Sequence, residues 1–194
     1  MTVTASSETQ PSRDLRSDVM LVVFLVALDV AARLLPHMPN VAPVAASALF
    51  AGIMLRHKAL APLVPLLALA ISDAMIGFDG WRLTLVTYAA STIPALLPML
   101  SSRLHKPGMF APAMVACSLM FFAVTNLAVW AFSGMYPVTF DGLVACYVAA
   151  LPFLQRTIVG DLMWAVALFG GAWLVKKVTG RSVEHTHAAT PAIR

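Results

Sequence analysis

The chain has 194 residues, 60% hydrophobic and 11% charged, with a mean hydropathy of +0.83. A water-soluble domain carries about a quarter of its residues as charges, so that class is excluded. The net charge of +4 does not imply nucleic-acid binding, because the basic residues follow membrane topology rather than forming a patch.

In chain order, residues 1–17 (MTVTASSETQPSRDLRS) are polar and read as a disordered tail. Val19–Leu35 is the first apolar run. Asp29 and Arg33 within it favour a retained helix over a cleaved signal peptide. Val41–Leu55, Ala59–Phe78, Leu83–Leu100, Phe110–Phe132 and Phe153–Val175 follow. Each approaches or reaches the roughly 20 residues that cross a bilayer as a helix, with Val41–Leu55 the shortest. Residues 141–151 (DGLVACYVAAL), between Pro137 and Pro152, are too few to cross and predict a short outer-face helix between the fifth and sixth spans. Residues 180–194 form a second flexible tail, in which His185 and His187 lack further metal ligands. The expectation is an all-α polytopic membrane protein, a six-transmembrane-helix bundle over residues 18–179.

With six spans and both termini cytoplasmic, ten of the 13 Lys and Arg residues fall inside. Arg33, Arg82 and Arg156 fall outside, so the positive-inside rule supports this orientation. It also separates the cysteines. Cys117 lies roughly 10 Å in from the cytoplasmic end of the fifth span and Cys146 beyond its outer end, too far apart for a disulfide.

Polar residues inside the spans gather in the outer half: Asp29 and Arg33, Ser72 and Asp73, Thr125 and Asn126, and Asp161. A charge near mid-bilayer costs about 2.5–3.5 kcal/mol on insertion scales. Asp29 and Arg33, at i and i+4, are expected to pair with each other. Asp73, Asn126 and Asp161 come from three spans and have no such partner. They either line a water-accessible cavity open to the outside or hydrogen-bond between helices. Phe122, Asn126 and Trp130 share one helix face, and an amide between rings suits either an organic ligand or a packed core and interfacial belt. Thr157, Asp161 and Trp164 repeat the pattern on the sixth span.

The outer connections are stiff and polar. LLPHMPN carries His37 and Asn40, GFDGWR carries Asp79, Trp81 and Arg82, and GMYPVTFDG carries Tyr136 and Asp141. They read either as lids over a pocket or as interfacial anchors. Ala27 and Ala31 form a small-xxx-small pair facing away from Asp29 and Arg33, a surface on which a partner helix can dock. Walker A, G-x-G-x-x-G, H-E-x-x-H and G-x-S-x-G patterns are absent, and no cofactor or metal site is expected.

The stretches RLLPHMPNVAPVAASALFAG (33–52), LVPLLALAISDAMIGF (63–78), FFAVTNLAVW (121–130), MYPVTFDGLVACYVAALPF (135–153) and GDL (160–162) carry a resemblance. The chain resembles the substrate-binding S components of energy-coupling-factor (ECF) vitamin transporters. It is more closely similar to an uncharacterised bacterial membrane family described as transport proteins. The resemblance implies a six-helix protein of the bacterial inner membrane that binds a vitamin near its outer face. It also implies docking through Ala27 and Ala31 on a coupling subunit served by two ATPases. Some solitary S-component-like proteins handle cobalamin with a cysteine on cobalt, which directs attention to Cys146 and His37.

The leading expectation is a non-enzymatic binding and transport protein for a small nutrient such as a vitamin, loaded from the extracytoplasmic side. Its substrate-binding candidates are Arg33, His37, Asn40, Asp73, Phe122, Asn126, Trp130, Tyr136, Cys146, Tyr147, Asp161 and Trp164. Two alternatives stay open: a small intramembrane enzyme using Asp73 or Asp161 as general acid or base, and a structural subunit whose acids pair with a partner helix.

Overall fold

The computed structural model describes residues 10–35, 41–78, 80–106 and 108–188, with side chains from residue 15 to residue 178. All regular structure among them is helical: α1 Gln10–Leu34, α2 Val44–Met54, α3 Leu63–Ile76, α4 Trp81–Leu100, α5 Phe110–Phe132 and α6 Phe140–Ala188. Short 3₁₀ turns cover Lys58–Leu60 and Ser102–His105. The segments Lys58–Ile76, Trp81–Leu100, Phe110–Phe132 and Phe140–Val178 are long and apolar enough to cross a membrane, which marks a membrane protein. α1 carries Asp18, Asp29 and Arg33, and α2 has only 11 residues. Neither reads as an independent apolar span. α1 begins at Gln10, inside the expected tail, and α6 continues past 180 to Ala188.

α2 sits at the centre and touches all five other helices. Its sequence, VAASALFAGIM, is apolar or small on every face, the pattern of a helix buried all round, and eight of its residues are buried. Small side chains let neighbouring backbones come close. A Cβ at Gly52 would lie 2.4 Å from the Ala95 carbonyl oxygen of α4. One core cluster joins Leu25 of α1, Ala48, Ala51 and Leu55 around α2, Val64 of α3 and Ala95 of α4. A second joins Ala46 and Leu49 of α2 to Met114 and Cys117 of α5 and Ala165 of α6. Phe169 of α6 bridges the two, edge-on to Phe50 and stacked on Phe110, each at 5.0 Å.

Both ends of α2 are pinned. Lys58 Nζ donates to the Gly52 and Ile53 carbonyls at 2.9 Å each, satisfying C-terminal acceptors that the helix cannot. Just beyond, the Asp18 carboxylate of α1 accepts from the Arg56 N–H at 3.1 Å, the His57 N–H at 2.8 Å and the His57 ring at 2.8 Å. Before α2, the Val41 carbonyl accepts from Trp164 Nε1 of α6 at 2.9 Å.

α5 and α6 run antiparallel, but not evenly. Phe169 meets Phe110 and Asp161 meets Ser118, eight residues apart on each helix. From there to the next contact, Tyr147 with Ala123, α5 advances five residues and α6 fourteen. The nine extra residues correspond to roughly 13 Å of helix rise, so α6 leaves α5 and returns. Pro152 lies in this stretch, where its missing N–H loosens the helix.

The expected separate outer-face helix is corrected here. Residues 140–151 are the first turns of α6, continuous with the span that follows. They stay helical because α5 offers them a partner. Tyr147 Oη donates to the Ala123 carbonyl at 2.6 Å, Cys146 Sγ to the Asn126 carbonyl at 3.5 Å, and the Phe122 and Tyr147 rings meet edge-on at 5.5 Å.

Two outcomes follow from this packing. Gly52→Ala drives a methyl into the α4 backbone and is expected to cost about 1–3 kcal/mol. Gly170→Ala, with no atom within 4 Å of its Cβ position, serves as the neutral control; thermal unfolding of the two variants in detergent compares them. Asp18, just before the first apolar run, is pushed up by burial. The backbone N–H of His57, its ring and the Arg56 N–H outweigh that and hold the carboxyl below its ordinary 3.8. Its stabilisation is therefore present above that pH and is lost as pH falls through the lower folded value. Asp18→Asn should lower the unfolding temperature near neutral pH and remove this acid-linked part of the wild-type loss.

Candidate functional site

The first polar centre is built at the end of α1. Arg33 donates from Nε to Ser72 Oγ of α3 at 2.6 Å, and its terminal nitrogen is ion-paired and hydrogen-bonded to Asp73. Tyr88 of α4 donates to the other Asp73 oxygen at 3.1 Å. Ser72 passes its own proton to the Ala68 carbonyl at 2.7 Å. The Arg33 and Asp73 side chains are 23% and 13% exposed, so solvent or solute reaches their edge.

The expected Asp29–Arg33 pair is corrected. Asp29 turns instead to α2, where Ser47 Oγ donates to its Oδ2 at 2.6 Å. Asp29 is fully buried, and its Oδ1 has no hydrogen-bond partner. Arg33 instead places two guanidinium donors on α3, at Ser72 and Asp73.

The second centre is Asp161 of α6, 4% exposed, accepting from Ser118 Oγ of α5 at 2.6 Å. Ser118 also contacts the Met114 carbonyl at 3.0 Å. Between the two centres lies a cavity of about 130 Å³. α1 contributes Arg33, the start of α2 gives Val44 and Ala45, and α3 gives Leu69. Thr87 and Ser91 come from α4, Cys117 and Phe121 from α5, and Thr157 and Asp161 from α6. All six helices therefore wall it. Pro94 lines it beside Ala90, and Pro94 removes the Ala90 carbonyl's i+4 donor. The lining offers one cation already countered by Asp73, one carboxyl, three hydroxyls and apolar walls.

The sequence-predicted residues divide between this cavity and other places. Arg33 and Asp161 line it, and Asp73 borders it through Arg33. Asn126 does not: its Nδ2 donates to the Phe122 carbonyl at 2.8 Å, and the adjacent Thr125 donates to the Phe121 carbonyl at 2.7 Å. Both satisfy themselves on the preceding turn of their own helix. Phe122, Cys146 and Tyr147 form the α5–α6 seam, and Trp130 Nε1 donates to the Pro137 carbonyl at 3.1 Å. Trp164 braces the approach to α2, and Tyr136, half-buried in the loop before α6, does not line the cavity. His37 and Asn40 lie outside the described residues. Cys117 and Cys146 are both free and buried. Among the described residues no group of three or more His, Cys, Asp or Glu is placed to hold a metal.

Ala27 and Ala31 are exposed, on the side of α1 away from buried Asp29 and Leu25. At the rim of the bundle, the Arg82 guanidinium lies 5.3 Å from the Trp81 ring and 5.5 Å from that of Phe132, a cation–π contact that joins α4 to α5. Sequence reasoning missed Ser47, Tyr88, Ser118, Thr87 and Ser91. Of these, Thr87 and Ser91 carried a signal: their four-residue spacing puts both hydroxyls on one face of α4.

No curated protein and no solved structure matches the chain. The model of a family of unknown function (DUF6580) matches residues 13–185, a span that takes in every helix walling the cavity, and the chain belongs to that family.

Proposed function

We propose that the protein is a six-helix bundle of the bacterial inner membrane that binds a small polar solute in the Arg33–Asp161 cavity, loaded from the extracytoplasmic side. The observation that carries this reading is a void walled by every helix, with a guanidinium on one side and a carboxyl on the other. Structural glue alone calls for paired groups, not for a space between them. Apolar walls with a few placed polar groups are the usual composition of a ligand site.

The volume bears on the solute. Sites for drug-sized ligands run from about 300 to 1,000 Å³, well above the 130 Å³ here. The void fits a solute of a few heavy atoms, or a cluster of waters that a ligand displaces. A vitamin, as the S-component likeness suggests, needs the helices to part. On that likeness the exposed Ala27 and Ala31 face of α1 meets a coupling subunit served by ATPases.

Mass spectrometry of small molecules released from gently purified protein should identify the solute, and calorimetry should then measure its affinity. Arg33→Gln and Asp161→Asn are each expected to weaken binding by about 5- to 150-fold, the loss of one buried hydrogen-bonding partner. Asn126→Ala, outside the cavity, should leave affinity unchanged. Unaltered affinity in both cavity variants overturns the assignment. Turnover of the solute that disappears in Asp161→Asn would replace it with an intramembrane enzyme.

A further inference from the structure

At the far end of α2 from the cavity, a second concavity of about 400 Å³ opens on the bundle surface. Its floor and walls are apolar: Met54 at the end of α2, Phe110 at the start of α5, and Val166, Phe169 and Trp173 along α6. Trp173, Val166 and Met54 are 61%, 60% and 42% exposed. Gly170 lines it too, and a Cβ there would meet no atom within 4 Å. Its basic lining comes from His105, the last residue of the Ser102–His105 3₁₀ turn, and from Lys106 just after it. Lys177 adds a second lysine on α6, its Nζ 4.7 Å from the Trp173 ring centre. Among the described residues no acidic side chain lines the groove.

We propose that this groove holds one acyl chain of an anionic phospholipid, with the phosphate against Lys106 and His105. The charge pattern selects this occupant. An amphiphile with an anionic head and an apolar tail matches walls that are apolar throughout and basic at one rim. Basic pockets between membrane helices bind such headgroups. A transmembrane helix of a partner or of a second copy would leave the rim cations without a counter-charge, and it packs best on small residues, whereas Phe110, Phe169 and Trp173 dominate here. Under the positive-inside orientation the rim faces the cytoplasmic leaflet, where anionic lipid concentrates. The site is independent of the solute cavity, so it stands or falls separately from the function proposed above.

Native mass spectrometry of the full-length chain in detergent, titrated with phosphatidylglycerol or phosphatidylcholine, tests it. Phosphatidylglycerol should be retained in preference to phosphatidylcholine. Lys106→Gln should weaken its retention roughly fivefold, the effect of one basic residue at a headgroup. Gly170→Leu extends into the groove from a position where a Cβ meets no atom within 4 Å, and should abolish retention of the preferred lipid while the unfolding temperature holds. Should Gly170→Leu fail to fold, the exposed Lys106→Gln variant decides alone. Equal retention of the two lipids, or unchanged phosphatidylglycerol binding in Lys106→Gln, overturns the proposal. So does a dimer or a bound protein that Gly170→Leu removes while lipid retention is unaffected.

Discussion

The organisation of this bundle depends on burying a helix that is too short to cross a membrane. α2 has 11 residues, about 16 Å of rise, well short of the roughly 30 Å apolar core that longer helices span. In hydrocarbon an unsatisfied backbone carbonyl or N–H costs several kcal/mol, so both ends need partners from elsewhere in the chain. Lys58 supplies donors to the last turn, and Asp18 takes up the N–H groups that follow. Trp164 holds the strand of chain that leads in. Every neighbour is then drawn against α2, and Gly52 fixes how closely α4 can come.

The cavity follows from the same constraint. A short central helix fills one half of the interior, and only its first turn, Val44 and Ala45, reaches the wall of the other half, which α1, α3, α4, α5 and α6 close. Two features keep that closure incomplete. Pro94 and Pro98 lie within α4, each removing a backbone donor, and the contacts of α6 with α5 fall out of step between Tyr147 and Asp161. The polar side chains among the apolar walls are tolerated there because a hydroxyl or carboxyl beside a void can meet water, whereas one sealed against lipid cannot. Asp29 shows the contrast: it lies in the same half of α1 but against α2, fully enclosed, with Ser47 as its partner.

The apolar runs were legible because composition alone separates a bilayer segment from a soluble helix, and the few ionisable groups inside those runs stood out against it. Arg33 and Asp161 were found in this way. Partner choice was not. Serines 47, 72 and 118 each lie within reach of a carbonyl three or four residues back in their own helix, leaving no pattern in the sequence to show that they also meet a charged group on another helix. Asn126 misled for the opposite reason. Its spacing with Phe122 and Trp130 marks a real face, but that face holds the first turns of α6. The extent of α6 was missed because Pro152 reads as a boundary, although one missing N–H inside a helix braced by α5 bends it without ending it.

If a solute larger than the resting void is to enter, the wall that yields must be one whose loss leaves few groups unsatisfied. α2 cannot be that wall, since its backbone ends and core contacts rest on every neighbour. Nor can the Arg33–Asp73–Tyr88 cluster, where separation of α1 from α3 would strand a guanidinium and a carboxylate in a poorly solvated place. The stretch of α6 from Phe140 to Arg156 is different. Its side-chain hydrogen bonds to α5 go to two carbonyls, those of Ala123 and Asn126. Each of these is an acceptor already available to its own helix's N–H, so parting the seam strands only the Tyr147 hydroxyl and a weakly polar thiol. Pro152 lies within this segment and before Asp161, so bending there widens the space beside Thr157 while the lower half of α6, held through Phe169 and Trp164, stays with the core. The fold thus divides its polar contacts by consequence: charged and capping bonds join α1, α2 and α3, and neutral, replaceable bonds join the first turns of α6 to α5.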